Sequence, residues 1–136
     1  MKGIDHIGIA VYSIERTLPF YTDVLHFTHL KTEIVESEGV KVAFLDTGNG
    51  KIELLEPIQV DSPVHTFLEK RGEGIHHIAL QTDDIGTDLK NLEENDIRLI
   101  NRTPKKGAGG AFVSFLHPKS TFGVLYEICQ KGEEKE

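Results

Sequence analysis

The sequence predicts an α+β fold built from two tandem β-α-β-β-β modules. Two observations carry that expectation. The order strand, helix, strand, strand, strand can be read twice along the chain, and short runs recur at nearly equal offsets. His6-Ile7-Gly8-Ile9-Ala10 is echoed 71 positions later by His77-Ile78-Ala79-Leu80-Gln81. Ile52-Glu53-Leu54 is echoed 74 positions later by Tyr126-Glu127-Ile128. Two echoes in the same order point to internal duplication. Within the 136 residues we therefore expect one domain over 1–130, with module 1 at about 4–57, a connector at 58–74 and module 2 at about 75–130. Residues 131–136 read as a charged tail.

The elements follow in order. Residues 4–11 alternate Ile7, Ile9 and Val11 against His6, Gly8 and Ala10, a strand with small residues on one face. Ser13 caps a helix to about Leu25, with Ile14, Leu18, Tyr21 and Leu25 roughly in line, and Pro19 predicts an irregular first turn. Strands are expected over 31–35 and 40–46, and the turn Gly48-Asn49-Gly50 leads into a fourth over 51–55. Ser62-Pro63 starts a short connecting helix to about Lys70, which a glycine-rich turn at 72–74 ends. The second module repeats the scheme: a strand over 75–82, a helix capped by Asp84 with Ile85, Leu89 and Leu92 along one side, then strands over 96–101, 111–117 and 123–130.

Bulk composition narrows the function. With 38% hydrophobic and 27% charged residues the chain reads as an ordinary globular protein. A net charge of −7 argues against general nucleic-acid binding, which needs a basic footprint, but leaves room for a local basic patch. Cys129 is the single cysteine, which excludes an intrachain disulfide and agrees with a reducing compartment. No apolar run approaches the roughly 20 residues needed to cross a bilayer, and no leader precedes the first strand, so a soluble, cytoplasmic protein is expected.

Each module places a histidine in its first strand and a glutamate in its last. Strand parity selects His77 rather than His76 as the equivalent of His6, because His77 shares a face with Ala79 and Gln81 while His76 lies with Ile78 and Leu80. Glu53 and Glu127 stand among Ile, Leu and Val, where an unpaired carboxylate is costly to bury. A cation resolves that cost. Two imidazoles and two carboxylates suit a first-row divalent ion with open positions, and zinc, cobalt, nickel and manganese all fit the donor set. Taken singly, each of the four residues is more readily explained as packing or surface. Their matched recurrence is what marks His6, Glu53, His77 and Glu127 as metal ligands. Around them, His117 is read as structural or site-lining. The run Lys105-Lys106-Gly107-Ala108-Gly109-Gly110 is a candidate phosphate loop or, equally, a flexible hairpin.

These residues resemble the vicinal oxygen chelate superfamily, which holds glyoxalases, extradiol dioxygenases, bleomycin-resistance proteins and acyl-CoA epimerases. The likeness runs from Ile4 to Gln130 and is strongest to the methylmalonyl-CoA epimerase branch. It is carried by Asp5-His6-Ile7-Gly8-Ile9-Ala10-Val11, Ile52-Glu53-Leu54-Leu55-Glu56-Pro57, Gly74-Ile75-His76-His77-Ile78-Ala79 and Phe115-Leu116-His117-Pro118-Lys119-Ser120 with Gly123-Val124-Leu125-Tyr126-Glu127. The resemblance implies a glyoxalase-like fold whose curled sheets form a cleft around one divalent metal ion, held by His6, Glu53, His77 and Glu127. It also implies a homodimer and an acyl-CoA substrate. The implied reaction is epimerisation at the carbon between thioester and carboxylate, with Glu127 as one base and Glu53 or a water as the other. Lys105, Lys106, His117 and Lys119 are candidates for substrate binding. Two departures stand out: some epimerases have glutamine in place of Glu53, and a third-strand glutamate of some epimerases falls here at Val42, or at Ala43 if the register slips. A glyoxalase-like lyase acting on a thiol-conjugated aldehyde, and a non-enzymatic binder of the same fold, are the alternative readings.

Overall fold

The structure, a computed structural model, describes residues 1–132. The chain divides into two compact units, one of His6–His76 and one that joins Met1–Asp5 to the chain from His77 onward.

The first unit runs β1 (Ile4–Ala10), α1 (Ile14–Pro19), β2 (Thr28–Val35), β3 (Val40–Asp46), β4 (Lys51–Pro57) and the connecting helix α2 (Pro63–Arg71). Its strands lie in the order β2-β3-β4-β1, with β1 parallel to β4 and the other pairs antiparallel. The second unit runs β5 (Gly74–Gln81), α3 (Ile85–Glu94), β6 (Lys105–Lys106), β7 (Phe112–Phe115) and β8 (Tyr126–Gln130). Its order is β5-β8-β7-β6, with β5 parallel to β8.

Each sheet has one face against a helix. In the first unit Ala43, Leu45 and Leu54 pack on Val11 and Ile14, with Ile9, Leu18, Tyr21 and Ile52 around them. In the second, Leu116 and Ile128 pack on Ile85 and Leu89, joined by Leu80, Leu92 and Tyr126. The helices start as their caps dictate. Ser13 accepts from Arg16 N at 3.2 Å, Ser62 from Val64 N at 3.2 Å and Asp84 from Thr87 N at 3.1 Å.

The repetition extends to hydrogen bonds that no composition could display. Glu56 Oε1 accepts from the Ile14 amide at 2.7 Å, and Gln130 Oε1 accepts from the Ile85 amide at 2.8 Å. Each last strand therefore holds the first residue of its own module's helix. Val11 N donates to Leu55 O and Thr82 N to Cys129 O, both at 3.0 Å.

Three expectations are corrected. The first helix is regular at its start. The irregularity lies beyond Pro19, where Phe20–Val24 forms a wider π turn closed by Leu25 N on Phe20 O at 3.0 Å. Proline lacks the amide that would continue the α ladder. Residues 96–101 are not a strand. Asp96 takes φ 63°, and Ile97 N folds back on Leu92 O at 3.0 Å, leaving only the bridge Leu99–Leu116. The last strand starts at Tyr126 rather than 123, since Phe122 (φ 59°) and Gly123 (φ 94°) form a left-handed turn before it. Of the expected tail, 133–136 lies outside the described residues.

Candidate active site

The face of each sheet turned away from its helix carries the predicted ligands. In the first unit the register sets Glu53 beside Gly8 on β1 and Phe44 on β3. His6, Gly8, Ala10, Glu53, Leu55, Val42 and Phe44 thus share that face, because successive strand residues alternate sides. His6 Nδ1 lies 3.1 Å from Glu53 Oε2, with both side chains 6% exposed or less. The second unit repeats this. Glu127 stands beside Ala79 on β5 and Phe115 on β7, and His77 Nε2 lies 3.8 Å from Glu127 Oε2. The Phe115 ring meets the His77 ring edge-on at 5.5 Å.

Each unit therefore brings together one buried histidine, one buried glutamate and one phenylalanine opposite that glutamate. Each pair, a buried carboxylate beside a buried imidazole, offers side chains of the kind that can hold a divalent metal ion. Asp5 was missed by the sequence reading and is buried too, among the same metal-capable side chains. Strand alternation had put it on the face opposite His6, which is why pattern alone passed it over.

His76 behaves as the structural histidine that parity makes it. It packs edge-on against Phe67 at 5.1 Å, and burial pushes its imidazole down to about 4, so it is neutral near pH 7.

The remaining candidates separate. Lys105 pairs with Val113, which shares a face with Phe115 and the His77–Glu127 pair, whereas Lys106 pairs with Phe112 on the other side and is exposed. Their glycine-rich loop is a hairpin: Gly107 N donates to Ala111 O at 2.9 Å and Gly110 N to Gly107 O at 3.2 Å. A Cβ at Gly107 would meet Val113 at 3.1 Å, so glycine is needed there for close packing. His117 Nδ1 accepts from Lys119 N at 3.1 Å and caps the turn Pro118–Ser120, leaving Lys119 exposed.

Val42 is settled by register. It lies opposite Glu33 and Leu55 on the ligand-bearing face, while Ala43 belongs to the helix-packed core.

Two β-α-β-β-β units, each with a His–Glu pair on the free face of its sheet, define a paired-module fold with a metal-type donor set. The Glyoxalase/Bleomycin resistance protein/Dioxygenase superfamily matches residues 5–115, and the chain belongs to that family. The fold is accordingly α+β and glyoxalase-like. Among solved structures, a hypothetical protein of Bacillus halodurans is 52% identical with a TM-score of 0.94, over 98% of this chain and 96% of that one. The methylmalonyl-CoA epimerase of Streptomyces coelicolor, solved in complex with 2-nitronate-propionyl-CoA, is 38% identical with a TM-score of 0.92, over 98% of this chain and 99% of its own. An ethylmalonyl-CoA/methylmalonyl-CoA epimerase of Cereibacter sphaeroides is 38% identical over 93% of this chain and 96% of its own. Among the described residues no helix is long and apolar enough to cross a membrane.

Proposed function

We infer that the chain is an isomerase that epimerises methylmalonyl-CoA at C2. The observation that carries this is its 38% identity, over 98% of its length, to an epimerase solved with an acyl-CoA analogue. The two buried His–Glu pairs support it, being the chemistry such a reaction needs. In this reading His6, Glu53, His77 and Glu127 together hold one divalent ion, with cobalt, zinc, nickel and manganese all compatible. When bound, that ion supplies a Lewis acid toward the thioester oxygen as negative charge develops there.

The chain's own residues do the rest. A carboxylate removes the C2 proton and the electron pair moves into the C1–C2 bond, giving an enolate. Protonation on the opposite face restores the thioester carbonyl with inverted configuration. Glu127 is assigned to one face, with Glu53 or a water a candidate for the other. Glu127 is buried beside its register partners Ala79 and Phe115, and a carboxylate shielded from water is a stronger base toward the acidic C2–H of the substrate. Lys105 and Lys119 supply local positive charge for the CoA phosphates on a protein of net charge −7, with Lys106 adding only diffuse attraction from the other face and His117 holding the loop that carries Lys119. The same reading takes the protein as a cytoplasmic homodimer.

The test is proton NMR of methylmalonyl-CoA in deuterium oxide, with cobalt-loaded protein against a chelated control and metal content measured in parallel. The expected result is metal-dependent acceleration of both C2 exchange and epimer conversion. Metal in the site without either would overturn the epimerase reading and favour the lyase, which conversion of a glutathione hemithioacetal would reveal.

A further inference from the structure

We propose that Glu33 on β2 is the second catalytic base of this reaction. The inference rests on the epimerase reading above. Inversion at carbon is simplest with two proton-transfer groups, and a second carboxylate outside the candidate ligand set leaves Glu53, 3.1 Å from His6, to the ion. Such a carboxylate has to stand on the face of the first unit that carries His6 and Glu53.

Register does this directly. Glu33 lies opposite Val42, and Lys31 lies opposite Phe44, so both project from the face that carries His6 and Glu53. Of the other described groups on that face, Asp46 accepts the Gly48 amide at 2.7 Å in its turn, and Lys51 is a cation. Asp5, buried in one metal-capable group with His6 and Glu53, counts with the candidate ligands, and Glu33 is the carboxylate of β2–β4 that remains on this face. It is 31% exposed, enough to exchange its proton with solvent between turnovers.

Its position is also held. Lys31 Nζ stands 5.0 Å over the Phe44 ring and 3.4 Å from Glu33 Oε2. Phe44 is in turn the register neighbour of Glu53. A continuous run, Glu53-Phe44-Lys31-Glu33, spans the face from the candidate metal ligand to the carboxylate. Across two strand spacings and two residues of offset, Glu33 sits about 12 Å from Glu53 by Cα, on the same face of the sheet.

The steps balance. In one direction the C2–H bond breaks, the proton goes to a Glu33 oxygen and the electron pair forms the C1–C2 double bond of the enolate. Glu127 then gives its proton to the opposite face of C2 and the thioester carbonyl reforms. The reverse direction exchanges the two roles, and each carboxyl re-equilibrates with water.

The measurement is Glu33→Gln followed in deuterium oxide from each pure epimer separately, with melting temperature and metal content alongside. A two-base site predicts a split. The epimer facing Glu127 still exchanges its C2 proton at near the wild-type rate, while inversion falls at least about a hundredfold. Glu33→Asp should recover part of the inversion. Inversion within about threefold of wild type would overturn the proposal. So would parallel loss of exchange from both epimers with lowered melting, which marks a structural role. If the wild-type protein itself neither exchanges nor inverts, the epimerase reading has failed, and this inference with it.

Discussion

Glu127 stands in a strand whose neighbours across the ladder are Ala79 and Phe115, and its Oε2 lies 3.8 Å from His77 Nε2. A carboxylate so enclosed is costly unless it is bonded or ligating, and the buried histidine beside it makes both roles available. If it also moves the C2 proton, Glu127→Gln should keep the shape of the side chain and lose the chemistry. Turnover is expected to drop by about a hundredfold or more, with circular dichroism unchanged. Near-normal turnover would remove Glu127 from the mechanism. The two buried His–Glu pairs were legible because the duplication wrote them twice and parity separated His77 from His76. Glu33 was not legible. Between His29 and Lys31 the β2–β3 register skips Leu30, and this bulge moves Lys31 and Glu33 to the face opposite the one alternation from His29 would give them.

At the level of elements, each module is a sheet held by one helix, and the helix is held in return by a polar side chain from the last strand. Leu54 is fully buried in the first unit's core, directly beside Glu53 in sequence but on the other face. Leu54→Ala should cost about 3 kcal/mol in urea unfolding, through lost transfer energy and the cavity left behind. A cost under about 1 kcal/mol would mean that β4 is not packed as described. Strand and helix identities followed from periodicity wherever caps and alternation agreed. They failed at 96–101, where Ile97 and Leu99 alternate like a strand but serve the α3 core from a turn. Tertiary packing, rather than local pattern, decided that segment.

For the molecule as a whole, a net charge of −7 would repel an anionic acyl-CoA, so the placement of individual lysines matters more than their number. Lys105 stands on the face of the His77–Glu127 pair, at the position in the second module that Glu33 occupies in the first: each lies opposite a valine, Val113 or Val42. Lys105→Gln should raise KM for the CoA substrate by up to roughly fivefold with kcat little changed, and added salt should blunt the difference. Lys106→Gln, on the other face, should leave KM within a factor of about two. Equal effects from both would point to diffuse attraction rather than a placed contact.

The order in which strands join has a consequence for the chain as it leaves the ribosome. β8 bridges β5 and β7 and follows both along the chain. Until it emerges, the edges of β5 and β7 that it will join stay unpaired. The nascent second half is then open to pairing with other chains, while the first half, whose four strands are complete by Pro57, has already been able to shut. Glu127, the residue we assign to the chemistry, thus arrives on the strand that ends this exposure.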